Sequence, residues 1–140
     1  MRVATAQSTT PTSVPAVTPP PSTRLVAAVV RGQRIAVPCP EWCVTDHAAH
    51  DLKSLENLSH DGESFSLLVP TFGGGTERAL IARLSQWPFG ASETGSRPYL
   101  SLEVTDDGEV ANVEADAALA FADQLVAHAE QIRRLAGALS

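Results

Sequence analysis

The two cysteines of this chain lie four positions apart, at Cys39 and Cys43, and three of its four histidines, His47, His50 and His60, follow within the next seventeen residues. The stretch runs Cys39-Pro40-Glu41-Trp42-Cys43-Val44-Thr45-Asp46-His47. Thiolates and neutral imidazoles are the preferred donors of structural zinc, and four of them close a tetrahedral shell. Pro40 suits the first position of a helix, where its missing N–H would be unpaired anyway. That predicts Cys39 as N-cap, with Cys43 and His47 each one turn further along the same helical face. A helix N-terminus would also favour the thiolate form of these cysteines. The fourth donor must come from elsewhere. His60, beyond a polar excursion closing at Asp61-Gly62, folds back without asking one short helix for four ligands; His50, one turn beyond His47, is the competing donor. Asp46 is expected beside the site as a partner of its ligands or as a surface charge, and Trp42 as its apolar cover. Two plainer readings stand against a metal: small buried cysteines, or a redox pair, although C-x3-C is not the C-x2-C redox spacing.

Composition explains why a metal would be useful. The apolar fraction is 44%, but 21 of those residues are alanine and only seven residues of the chain are aromatic. Bound metal supplies folding energy that such a core lacks. With 140 residues there is room for one small domain. No apolar run exceeds the six residues of Leu25 to Val30, too short to span a bilayer. No apolar stretch of signal-peptide type follows Arg2, so a cytoplasmic protein with no membrane partner is expected. Residues 1–38 carry four arginines and no acid, whereas residues 39–140 sum to −10. A folded part this acidic repels a phosphate backbone, which argues against nucleic acid as a partner.

Fourteen of residues 1–23 are Ser, Thr or Pro. Such a segment buries too little apolar surface to offset its chain entropy, so a disordered tail is expected there, with a single domain over 24–140. Leu25–Val30 and Arg34–Val37 read as a hairpin about Arg31-Gly32-Gln33. Further strands are expected at 65–69, 76–87 and 99–104, with a turn at Asp106-Asp107-Gly108. In the last two, alternation groups Leu80, Ala82 and Leu84 on one face and Leu100, Leu102 and Val104 on another. From Asn112, read as N-cap, to the C-terminus, Ala118, Phe121, Leu125, Ile132, Leu135 and Leu139 recur at three- and four-residue steps, giving one amphipathic helix. His128 falls on that stripe, as a hydrogen-bonded or partly exposed core histidine or an extra ligand. The expected fold is α+β: a small antiparallel sheet with the long C-terminal helix packed on one face, plus a short Cys/His zinc-binding helix-loop segment. Its core would comprise Leu80, Leu84, Leu100, Leu102, Phe121, Leu125 and Ile132.

The pattern Cys39-Pro40-x-Trp42-Cys43-x-x-Asp46-His47 with a later His60 resembles an actinobacterial family of small uncharacterised proteins recognised by a CP-x-WC-x-x-DH motif. The likeness runs over about residues 38–139. It implies a strand like Leu80–Gln86, another like Tyr99–Val104, an Ala/Leu-rich C-terminal helix and His60 as the later ligand, and it implies no activity.

The functional expectation is a non-enzymatic zinc-binding domain, serving as a protein-interaction or regulatory module. One alternative is a zinc-dependent hydrolase, which would need an open coordination position and a base such as Glu41 or Asp46. A nucleic-acid-binding regulator is the other, disfavoured by the acidic charge. If the tail does no structural work, a chain beginning at Arg24 should melt within a few degrees of the full-length protein, as followed by circular dichroism.

Overall fold

The computed structural model describes residues 23–139. Of the tail expected over residues 1–23, residues 1–22 lie outside them, and Thr23 belongs to the first strand instead. Strand β1 (Thr23–Val30) returns as β2 (Gln33–Pro40) through Arg31 and Gly32, whose φ angles of 50° and 73° are both positive. Two left-handed residues make the turn that matches the twist of a hairpin, and Gly32 takes that conformation without strain. The next segment runs back along the free edge of β1. There β3 (Asp51–Leu52) pairs parallel to Val29 and Val30, and the Asp51 carboxylate accepts the Gly32 N–H at 2.9 Å. A three-stranded sheet of order β2-β1-β3 results.

A second sheet follows, built from β4 (His60–Asp61), β5 (Phe65–Pro70), β6 (Thr76–Gln86), β7 (Tyr99–Thr105) and β8 (Val110–Val113). Its order is β4-β6-β7-β8, with β5 also on β6. All of its pairings are antiparallel. A one-turn helix α1 (Glu93–Ser96) sits in the β6–β7 connection, and α2 (Ala115–Gly137) closes the described chain. The fold class is therefore α+β as expected, with the strands divided between two sheets.

The hairpin carries the tightest packing. Residues directly opposite each other share a face, so Val26 with Val37 and Ala28 with Ile35 form one apolar surface. Leu52, Leu55 and Leu58 cover it, and Ala28, Val37 and Leu58 are no more than 2% exposed. Cys39, two residues beyond Val37, points to that same face and is buried at its end.

Three expectations change here. No helix follows Cys39: the chain stays extended through Pro40, which pairs with Thr23 at the end of β2. A proline is accommodated at a strand end as readily as at a helix start. Asn112 is not the N-cap either. It belongs to β8, opposite Ser101, and α2 begins one residue after Glu114, which caps it without a side-chain hydrogen bond. Finally, the more buried face of the second sheet is not the one expected. Ile81, Ser85, Tyr99 and Ser101 are buried, whereas Leu84 is 42% exposed. Antiparallel pairing joins Leu84 to Leu100 and Ser85 to Tyr99, so these sets lie on opposite faces. Helix α2 contacts β7 through its first turns, with Ala118, Phe121 and Leu125 partly buried. Further along, His128, Ile132, Leu135 and Leu139 are exposed. The stripe is longer than the sheet it packs on.

Leu58→Ala empties the centre of the hairpin core and should cost about 2–5 kcal/mol. Ile132→Ala should cost less than about 1 kcal/mol, as expected for a half-exposed side chain. Guanidinium unfolding of the two variants against the parent chain separates them.

Candidate metal centre

The site is assembled from the ends of the two sheets. β2 delivers Cys39; the chain then turns tightly, with the Cys43 N–H donating to the Pro40 carbonyl at 3.1 Å. Cys43 forms an isolated antiparallel bridge with Gly62, and the Val44 N–H donates to the Asp61 carbonyl at 2.9 Å. Residues 43–44 therefore pair with the strand carrying His60. Beyond them the chain crosses to β1, where the His47 carbonyl accepts from the Val29 N–H at 3.3 Å. The Arg24 guanidinium reaches over this loop to the Cys43 carbonyl at 3.3 Å.

Cys39, Cys43, His47 and His60 are all buried, and their donor atoms lie within 4.8 Å of one another. His47 Nε2 stands 3.6 Å from Cys39 Sγ, 3.5 Å from Cys43 Sγ and 3.1 Å from His60 Nδ1. An imidazole nitrogen offers one lone pair or one hydrogen, so three such neighbours exceed its hydrogen-bonding capacity. They match the edges of a coordination tetrahedron. Metal bonds of ~2.3 Å to sulfur and ~2.0 Å to nitrogen put sulfur and nitrogen about 3.5 Å apart, and two nitrogens about 3.3 Å apart. The donor set fits a metal ion.

The surroundings hold the imidazoles in place. The Pro38 carbonyl accepts a hydrogen bond from the His60 ring. Fixing a histidine ring through a backbone carbonyl is a common way to orient a ligand nitrogen. Trp42, half-buried, meets His60 edge-on with ring centroids 6.5 Å apart and forms an apolar wall. Asp46 is exposed and accepts the Ala48 N–H at 3.0 Å, shaping the turn at His47. His50 is exposed and is not among the four converging residues. Asp61 went unremarked as a site residue in the sequence. Its carboxylate accepts from Ser59 at 2.9 Å and Ser85 at 2.8 Å and lies 3.6 Å from the Arg83 guanidinium. An acid adjacent to His60 was the only available signal.

Burial dominates the electrostatics. It lowers the affinity of His47 for a proton, against the opposing carboxylates of Asp46 and Asp61. It does the same for His60, helped by the neighbouring His47 and opposed by the Pro38 carbonyl and Asp61. The Cys39 thiol is pushed up to about 11 by burial and by Cys43, against a smaller pull from Arg24. The expected helix dipole is absent, so nothing of that kind lowers it. Without a cation the site holds neutral imidazoles and a protonated Cys39.

The sequence profile of the family Domain of unknown function (DUF6907) matches residues 7–140, which includes the β1–β2 hairpin. The chain belongs to this family. No curated protein and no solved structure gives a match. Among the described residues no helix is long and apolar enough to cross a membrane.

These shifts fix how the metal-free chain responds to pH. Below 6.5 the unfolded state protonates His47 and His60 before the native state does, so stability falls with acid. Between 9.0 and about 11 the unfolded state loses the Cys39 proton first, so stability falls with base. Urea midpoints of the reduced, chelator-treated protein should therefore be highest between those limits and decline on both sides.

Proposed function

We propose that Cys39, Cys43, His47 and His60 hold one structural zinc ion, and that the domain is a non-enzymatic interaction or regulatory module of the reducing cytoplasm. The observation that carries this reading is the convergence of two thiols and two imidazoles, all buried and within 4.8 Å of one another, with His47 Nε2 at tetrahedral edge distances from the other three donors. A mixed sulfur and nitrogen set of this kind suits zinc among the common ions. The charge balance agrees, since two thiolates neutralise a divalent cation in a site where Cys39 stays protonated without one. Both cysteines are free, which accords with a reducing compartment.

Four protein donors leave no tetrahedral position for substrate or water, and this favours a structural role over the hydrolase reading. A zinc ion held this way would contribute roughly 10 kcal/mol or more of apparent binding energy at neutral pH, concentrated where the two sheets meet. The acidic charge beyond residue 38 weighs against nucleic acid. Large apolar side chains left exposed, among them Phe65, Leu68 and Phe72, favour a protein partner. We take the CP-x-WC-x-x-DH pattern as the sequence signature of the site.

Native mass spectrometry with elemental analysis, after purification under reducing conditions without chelator, should find one zinc per chain. His60→Ala should lose it and His50→Ala should keep it; the opposite result would reassign the fourth ligand, and absence of zinc would refute the proposal. Hydrogen exchange with and without chelator tests the structural role. Protection across residues 38–62 should fall on chelation, while β6 and β7 keep at least part of theirs. Unchanged protection with metal removed would instead favour the hydrolase.

A further inference from the structure

We propose that two copies of this chain associate antiparallel through α2, with Leu135 of each copy seated in a recess on the α2 of the other. From Ala118 to Leu139 the apolar stripe, with His128 in it, steps by three and four residues in strict alternation through three heptads. A helix that only covers a sheet needs no such regularity, whereas a strict seven-residue repeat is the seam of two helices wound on each other. The sheet takes up only the start of this seam, where Ala118, Phe121 and Leu125 are partly buried. Every described residue after Leu125 is exposed, Leu135 to 70% and Leu139, just past the helix end, to 89%.

The surface of α2 says what meets it. An open recess of about 470 Å³ is walled by α2 alone, through Phe121, Gln124, Leu125, Ala127, His128 and Gln131. Phe121, Gln124, Leu125 and His128 stand at i, i+3, i+4 and i+7, the four corners of a hole that takes one knob from a facing helix. A two-fold axis beside residue 130 sets Leu135 of the second copy opposite Leu125, at the centre of that hole. The same axis sets Ile132 opposite His128 and Leu139 opposite Phe121, so every seam residue from 121 to 139 meets one of the second copy. Sliding the register one heptad towards the C-terminus would leave Phe121 and Leu125 unpaired and the recess empty. Each copy thus presents both knob and hole, as an isologous interface requires.

Charge and the position of the sheet select this partner and this direction. The positions flanking the seam hold only alanine and glutamine, among them Gln124, Ala129, Gln131 and Ala136. Asp123, Glu130, Arg133 and Arg134 lie away from the seam, where Glu130 and Arg133 pair at 2.8 Å. A different helix is ordinarily selected by charges on those flanks. Here none discriminates against an identical copy, and no like charges are opposed across the seam. Parallel helices would crowd both sheets against the same end of the seam; antiparallel helices carry them to opposite ends.

Sedimentation velocity of the reduced full-length chain from ~1 to ~500 μM tests this. The seam is about 27 Å long and narrower than a standard interface of ~800 Å² per partner, so a dimer with Kd on the order of 10–100 μM is expected. Leu135→Lys should weaken association at least about tenfold, and its exposure in the single chain leaves the fold intact. His128→Leu, which puts an apolar side chain opposite Ile132, should tighten association at least about threefold. Leu68→Lys, on the exposed strand β5, should leave it unchanged. Small-angle scattering at the upper concentration should show two lobes, one at each end of the paired helices. A monomer throughout the range would overturn the proposal. So would a dimer that Leu135→Lys leaves unweakened, that His128→Leu fails to tighten or that Leu68→Lys abolishes, or a dimer of one compact lobe.

Discussion

The pairing of residues 43–44 with residues 61–62 is the junction on which the molecule depends. One isolated bridge, Cys43 to Gly62, with the Val44 to Asp61 hydrogen bond beside it, connects the loop leaving the first sheet to the first strand of the second. Gly62 also donates to the Leu84 carbonyl at 2.8 Å, so the same residue ties the loop to β6. A side chain there would stand 3.4 Å from the Trp42 carbonyl and 3.5 Å from Leu84, within ordinary contact but with no room to spare. The four donors gather around this junction. Two short sheets that share little apolar surface are thereby held in one arrangement.

The donor set is the part of the site that residue types reveal most directly. Cys39, Cys43, His47 and His60 converge because the chemistry of thiol and imidazole, rather than any local conformation, groups them. The conformation itself was not legible. Spacings of four residues fit a helical face, yet the same spacings are met by a strand end, a tight turn and a bridge. What decides between them is the pairing of Pro40 with Thr23, a contact across the hairpin that no local pattern encodes. Asp61 escaped notice for a related reason: its partners Ser85 and Arg83 are more than twenty residues away.

Elsewhere the strands were readable and their faces were not. Alternation along β6 and β7 is genuine, but it does not say which face is covered. The apolar set containing Leu84 and Leu100 was the natural choice for the interior. In the fold Leu84 and Leu100 line the groove beside Trp42 instead, while Tyr99 and Ser101 lie on the buried side. β8 was hidden because Asn112 and Glu114 imitate a helix start. Opposite Ser101, Asn112 serves the β7 ladder, and the helix waits until the strand ends.

The placement of the donors along the chain also keeps the loop they close short. Cys39 to His60 spans a short loop, and closing it costs far less entropy than joining distant segments. Ala28, Val37 and Leu58, the best-buried apolar residues of the hairpin core, lie within the same stretch or just before it. All of these residues precede β6 in the chain, so the two sheets meet through a segment that is local in sequence. The same segment continues into β4, where His60 and Asp61 pair with Gln86 and Ser85 of β6. In the finished fold the register of the larger sheet is thereby tied, through β4, to the segment that carries the donors.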